Sequence, residues 1–263
     1  MTTVQDVCRV LEAFAPNHLA EEWDNVGLLV GDRRQTVNQV MTCLTITPAS
    51  VAEAVRERVD MIVTHHPLPF KPMKRLTADN TTGRMLLDLI RANVAVYSPH
   101  TAFDSAAAGI NQRLAEGLGL QKIMPLVPIE ADENGLGSGR YGRLPAATPI
   151  DTIVQAVKQF LQLDQLQIVA AEGATAAKIA VACGSAGTFL DPARRVGCDL
   201  LLTGETNFHT CLEAEATGTT LILTGHFASE RFAVERLAEF LQSEFGRNKV
   251  WASREEKDPL KTV

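Results

Sequence analysis

The stretch MIVTHHPLPF, residues 61–70, ends an apolar run in two adjacent imidazoles and a proline. Neighbouring side chains in a strand point to opposite faces, so His65 and His66 can share a ligand only where the strand gives way to a loop. Pro67 places them there, because it cannot extend a central ladder and it biases His66 toward extended backbone. Two later segments follow a common plan. VAVYSPHTAFD and TLILTGHFASE each run from an apolar strand through a small turn residue to a histidine, with an acid four positions on. These are His100 with Asp104, and His226 with Glu230. Side chains four apart share a helix face, so each pair can aim at one point.

A lone histidine in an apolar segment is ordinarily a hydrogen-bonded structural residue; the joint pattern is what points to metal. His65, His66, Asp104, His226 and Glu230 supply three imidazoles and two carboxylates, a donor set suited to zinc, iron, manganese, nickel or cobalt. Five ligands exceed the three of a usual catalytic zinc site. Two carboxylates able to bridge permit a pair of ions roughly 3.5–4 Å apart. The expectation is a dinuclear centre whose bound hydroxide attacks an electrophilic carbon or phosphorus, with Glu230, Asp104 and His100 as the catalytic candidates. His18 and His209 lack a similarly placed acid, and His209 stands as a candidate for the pocket wall.

The elements that must position these residues alternate between helix and strand. TVQDVCRVLEAF has a helical apolar period, with Thr3 and Asp6 placed for a capping box. NQVMTCLTI, VDMIVT and VAVYSPH read as strands, separated by the helices PASVAEAVRER and TGRMLLDLIRAN; GINQRLAEGLGL is a helix closed by glycine. This order predicts an α/β protein with mixed sheets covered by helices. The central IEADENGLGSGRYGRLPAATP, rich in glycine and proline, reads as a loop or hairpin between two halves.

Those halves echo each other. QVMTCLTITPASVAEAVRERVDMIVTHH and KIAVACGSAGTFLDPARRVGCDLLLTGE share a strand, a turn, a helix and a second strand, and Glu205 occupies the place of His66. An internal duplication whose halves share a pocket follows, although α/β units resemble one another in any case. EEWDNVG raises two alternatives: Trp23, Asp24 and Asn25 line a pocket, or they form a turn with Trp23 packed in the core. RLAEFLQSEFGRN reads as an amphipathic helix and SREEKDPLKTV as a mostly exposed polar tail.

Composition narrows the function classes. The chain has 263 residues, 46% hydrophobic, enough for one large domain or two smaller ones. A formal net charge of −6 disfavours direct nucleic-acid binding and favours a small-molecule substrate. No apolar run approaches the ~20 residues of a membrane span, and the start lacks a signal-peptide pattern, so no membrane partner and a cytoplasmic location are expected. The five cysteines form no C-x-x-C pair and read as buried reduced thiols.

The sequence resembles the GTP cyclohydrolase I type 2 homologs, also called YbgI-like or Nif-three-like proteins. The resemblance is carried by EEWDNVGLLVGD, DMIVTHHPLPF, HTAFDSAAAGINQRLAEGLGL, GLGSGRYGRL, VGCDLLLTGE and GHFASERFAVERLAEFL. It implies two metals held by His65, His66, Asp104, His226 and Glu230, with His100 a nearby pocket histidine. It also implies two interlinked α/β domains of similar topology, residues 1–125 with 228–263 and residues 126–227, in a ring-shaped homohexamer. The family name implies a metal-dependent hydrolase acting on a nucleotide-like or cyclic amide small molecule; for a purine nucleotide, the imidazole ring would open with loss of formate. The alternative is a metal-loaded ring-shaped scaffold or regulator without catalysis.

Overall fold

Thr3 opens the first helix, α1 (Val4–Phe14): its hydroxyl accepts from the Asp6 amide at 3.3 Å while Asp6 accepts from the Thr3 amide at 2.9 Å. That is the reciprocal capping the sequence predicts. In the computed structural model, which describes residues 1–130 and 132–261, the chain continues through β1 (Gly27–Val30), β2 (Gln39–Cys43), α2 (Pro48–Arg56), β3 (Met61–Thr64), α3 (Thr81–Arg91) and β4 (Ala95–Ser98). Then come α4 (His100–Ser105), α5 (Ile110–Gly117), β5 (Gln121–Pro128), β6 (Gly137–Pro149), α6 (Ile150–Leu161), β7 (Gln167–Val169) and β8 (Thr175–Ser185). The last elements are α7 (Leu190–Arg195), β9 (Leu200–Glu205), α8 (Phe208–Thr217), β10 (Thr220–Leu223), α9 (His226–Glu244) and β11 (Lys249–Ala252). Among the described residues no helix is long and apolar enough to cross a membrane.

The chain divides into two compact units, Met1–Phe103 with Ala233–Val263, and Asp104–Phe232. The chain passes from one unit to the other within α4 and within α9, and α5 packs on β6 and β8 of the second unit.

In the first unit the sheet order is β1-β4-β3-β2-β11, parallel except for β1 at the edge. Its core gathers Met41, Cys43, Ile62, Leu86, Leu89, Val96 and Trp251. In the second unit the order is β5-β6-β8-β9-β10-β7, with β8, β9 and β10 parallel and the outer strands antiparallel. Ala180, Ala182, Leu190, Leu201 and Leu221 form that unit's core.

The echo seen in sequence is an echo in register. Val40 pairs with Met61 as Ile179 pairs with Leu200. Asp60 Oδ2 accepts from the Asn38 and Gln39 amides at 2.7 and 3.0 Å, and Asp199 Oδ2 from the Ala177 and Lys178 amides at 2.8 Å each. In each unit one aspartate therefore ties the start of one parallel strand to the turn before the next.

The structure decides three readings. Of the loop or hairpin that the sequence offers, the central segment is the hairpin, for β5 and β6 pair antiparallel from Gln121↔Arg143 to Pro128↔Gly137. Gly137 suits that strand because a Cβ there would overlap the Val127 carbonyl. Trp23 is not a core residue: it is 63% exposed, and Trp251 fills the core instead. The C-terminal tail is mostly exposed among its described residues, as the sequence suggests, but it is pinned at two points. Ser253 and Glu256 are buried because carboxylates pin the segment: Glu53 accepts from the Trp251 indole, the Ser253 hydroxyl and the Arg254 and Glu255 amides, and Glu256 accepts from the Leu44 and Thr45 amides. Thr262 and Val263, the end of that tail, lie outside the described residues.

Arg140 on β6 organises the start of the second unit. Its guanidinium is buried and donates to the carbonyls of Gly137, Gly139, Ser105 and Ala106 at 2.6–2.9 Å and to Gln112 Oε1 at 3.0 Å. Arg140→Met removes those donors and leaves buried carbonyls unmatched. We expect a loss of about 3 kcal/mol or more in unfolding free energy, measured by urea denaturation.

Candidate metal centre

In the first unit the β2–β3 ladder runs past its last strand residue. The amides of His65 and His66 donate to the Cys43 and Leu44 carbonyls at 3.0 and 2.8 Å, which fixes both histidines at the strand's C-terminal end, where the sequence places them. His100 arrives from the neighbouring parallel strand, at the first position of α4. Its ring centroid lies 5.2 Å from that of His65 and 5.6 Å from that of His66. One ring nitrogen from each of the three histidines lies within 4.8 Å of the others. His65 and His100 are buried and His66 is half-buried. His100 adopts φ +26°, a left-handed conformation that non-glycine residues rarely take and that tends to occur at functional positions.

In the second unit the equivalent strand ends carry a different donor set. His226 opens α9, and its Nε2 lies 3.2 Å from Glu230 Oε2, one turn further along. Glu230 is 2% exposed. Gly184 at the end of β8 has φ +67°, and a Cβ there would overlap Glu230 Oε1, so the strand's backbone lines the space this carboxylate needs. Ser229 secures the turn by donating to the His226 carbonyl at 2.7 Å and accepting from the Gly184 amide at 2.9 Å. Asp104 accepts from the Cys183 thiol at 3.2 Å, while Asn111 bridges the Asp104 carbonyl and the Cys183 amide at 3.1 and 2.8 Å. Burial, then the charges of Asp104 and Glu230, push the Cys183 thiol well above its usual range, so it stays protonated. The other cysteines are also free thiols, buried as expected except for the half-buried Cys211, and Cys183 faces a carboxylate rather than apolar company.

A recurring feature links the histidines. Asp24 Oδ1 accepts from His100 Nδ1 at 2.7 Å, Thr45 Oγ1 is hydrogen-bonded to His66 Nδ1 at 2.7 Å, and Glu205 Oε1 accepts from His226 Nδ1 at 2.9 Å. An oxygen on Nδ1 fixes the ring and presents Nε2 as the ligand nitrogen, the usual outer support of a metal-bound imidazole. Burial works against the Asp24 carboxylate, but hydrogen bonds from His100 and Thr101 prevail and hold it down at about 2. Glu230, against the opposing effect of burial and with help from Glu205, raises His226 to about 9. The metal-free imidazole is therefore a cation at neutral pH, and a metal ion would have to displace its proton. In the first unit the three oriented imidazoles are a donor set that could hold a divalent transition metal, and in the second His226 and the buried Glu230 are donors of the same kind.

The sequence reading finds His65, His66, His100, Asp104, His226 and Glu230; the structure puts His65 and His66 at the end of β3, His100 and His226 at the first positions of α4 and α9, and Asp104 and Glu230 one turn into those helices. It brings His65, His66 and His100 together in the first unit, and His226 with Glu230 in the second. His209 is exposed on α8, its ring 6.0 Å from that of Phe208, and is not among those donors. Glu205 and Asp24, left open in the sequence, are hydrogen-bond partners of histidines. Thr45 and Glu256 are missed altogether.

Such a chain is an α/β protein of two mixed-sheet units, with histidine and carboxylate side chains that could hold a metal ion gathered near the ends of parallel strands. It belongs to the Duf34/NIF3 (NGG1p interacting factor 3) family, whose model matches residues 2–259. It is 34% identical over 227 residues to the GTP cyclohydrolase 1 type 2 homolog of Clostridium acetobutylicum, spanning 86% of this chain and 85% of that protein. To the protein of the same name from Clostridium perfringens it is 31% identical over 99% of each chain. A solved Bacillus cereus protein related to NIF3 shares the fold, with a TM-score of 0.91 over 100% of this chain and 99% of that one at 22% identity.

The path from the tail to His66 is testable. Glu256 holds the Leu44 and Thr45 amides at 2.8 and 2.6 Å, and Thr45 in turn holds His66. Thr45→Val and Glu256→Ala should each weaken divalent-metal affinity about tenfold or more. Competition with a chromophoric chelator measures this, with circular dichroism confirming an unchanged fold.

Proposed function

We propose that the protein is a dinuclear metal protein and a metal-dependent hydrolase of a nucleotide-like or cyclic amide small molecule. His65, His66, Asp104, His226 and Glu230 are the ligands of two divalent transition-metal ions in this reading, and the protein works as a homo-oligomer, a hexamer by family resemblance. The observation that supports it best is the repeated support of imidazole Nδ1 by Asp24, Thr45 and Glu205. Histidines that merely fill a core have no need of three independently placed oxygens on the same ring atom.

Paired ions of this kind acidify water and stabilise negative charge developing on a substrate. The chain's own residues supply the rest. Asp24 keeps the His100 ring fixed beside His65 and His66, where it can orient a substrate's polar group. Glu230, buried and four residues after His226, can accept a proton from an attacking water. Asp104, held through the Cys183 thiol and Asn111, keeps a carboxylate at a fixed position. The family name carried by the clostridial relatives motivates the substrate class.

The test measures metal and turnover in the same samples. Protein purified without chelator should carry close to two transition-metal ions per chain by elemental analysis, and the His65→Ala/His226→Ala variant should lose most of them. Metal-loaded protein is then screened against nucleotides, phosphodiesters and cyclic amides. Glu230→Gln at full metal occupancy should lower kcat more than it raises KM, because a proton-accepting role acts in the transition state. Metal content unchanged in the double variant would overturn the ligand assignment. Turnover indifferent to metal would overturn the hydrolase mechanism.

A further inference from the structure

Beside the first unit's histidines lie two aromatic side chains that nothing so far uses. Trp23 is 63% exposed and Phe70 is 50% exposed. Indole and phenyl rings are the side chains that gain most from leaving water, and Trp is on average highly buried. Their ring centroids are 6.1 Å apart at an interplanar angle of 44°. Both rings meet His100, Trp23 at 6.0 Å and Phe70 at 5.8 Å, and His100 stands edge-on to each, at 79° and 74°. The exposed aromatics and the His65, His66 and His100 rings thus form one continuous cluster.

The pair is held by buried structure. Asp24, whose side chain is 1% exposed, binds His100 Nδ1 and accepts from the Thr101 hydroxyl and amide, which anchors the residue next to Trp23. Asn25 donates to the Pro69 carbonyl at 2.9 Å, which anchors the residue before Phe70. The Asp24 and Asn25 side chains therefore anchor the backbone next to each aromatic residue and hold the ring of His100 beside them. A general apolar patch does not require such anchoring, whereas a binding surface with defined geometry does. The flanking charges oppose each other, with Glu21 and Glu22 before Trp23 and Lys71 after Phe70, so the flat apolar faces are what can discriminate between ligands.

We propose that Trp23 and Phe70 form a stacking platform for a flat, conjugated ring, and that this platform, rather than the histidines, selects the substrate class. The open angle between the rings lets a planar heterocycle lie against one face while its edge is directed at His100. A puckered, saturated cyclic amide offers no π-face and gains little there, and a phosphodiester without a base gains nothing. The role of the bound ring as a substrate rests on the metal-hydrolase reading; its binding does not.

Trp23 reports on the platform directly, because the chain's other tryptophan, Trp251, is 8% exposed. Indole fluorescence of the full-length protein is followed during titration with guanosine, with ribose 5-phosphate and with dihydrouracil, each with and without bound metal. Guanosine should quench saturably, the other two should not, and Trp23→Phe should abolish the signal. Phe70→Ala should weaken guanosine binding about tenfold or more, while Phe70→Tyr restores it, with metal content equal in all variants. Quenching that does not depend on the flat ring overturns the proposal. So does a protein-concentration-dependent signal insensitive to guanosine, which would mean that a second copy covers the rings. A metal-free wild type that still binds guanosine supports the platform on its own, and failure of the metal reading is recognised separately, by turnover indifferent to metal.

Discussion

Imidazoles and carboxylates lose much hydration when they leave water, and the cost is met only if each ring and each oxygen has a fixed partner. His65, His100 and Glu230 are nearly inaccessible, and most of what is distinctive about this chain can be traced to keeping such groups in place. Parallel strands supply the first part of the solution. Buried on both faces and joined through helices, they end side by side, and residues just beyond those ends are held by the last amides of the ladder. The donations of His65 and His66 to Cys43 and Leu44 are that device at atomic scale.

Outer oxygens supply the second part, and they come from unrelated places in the chain. Asp24 lies in an N-terminal turn, Thr45 follows β2, and Glu205 ends β9. The likeness of the two units explains part of this pattern. Glu205 stands in the second unit where His66 stands in the first, so one unit carries an imidazole at this position and the other an acid that supports one. The aspartates Asp60 and Asp199, by contrast, perform the same strand-tying role in both units. The framework is common to both units while the strand ends carry different side chains.

Local signals made much of this legible in the sequence. The Thr3 capping box, Pro48 at the start of α2, the apolar runs of β3 and β4 and the H-x-x-x-acid pairs each span only a few residues, and each appears in the structure as read. The hairpin of β5 and β6 is one of the two readings that its glycine- and proline-rich composition allows, and only the strand pairing decides between them. Contacts between distant positions were not legible. Asp24 reaches His100 and Glu256 reaches Leu44 with no periodicity to announce either partner, and Glu256, in a tail otherwise mostly exposed, finds its buried amide only after folding. Trp23 was ambiguous for a similar reason, since a turn-forming sequence does not reveal which way its aromatic residue points.

The central claim is that histidine and carboxylate side chains of this chain bind a pair of metal ions. X-ray absorption spectroscopy at the metal edge of the loaded protein tests it most directly. The account predicts a first shell of nitrogen and oxygen with the multiple-scattering pattern of imidazole, and a metal–metal vector at roughly 3.5–4 Å. A shell dominated by sulfur, or an isolated ion with neither imidazole scattering nor a second metal, would contradict it.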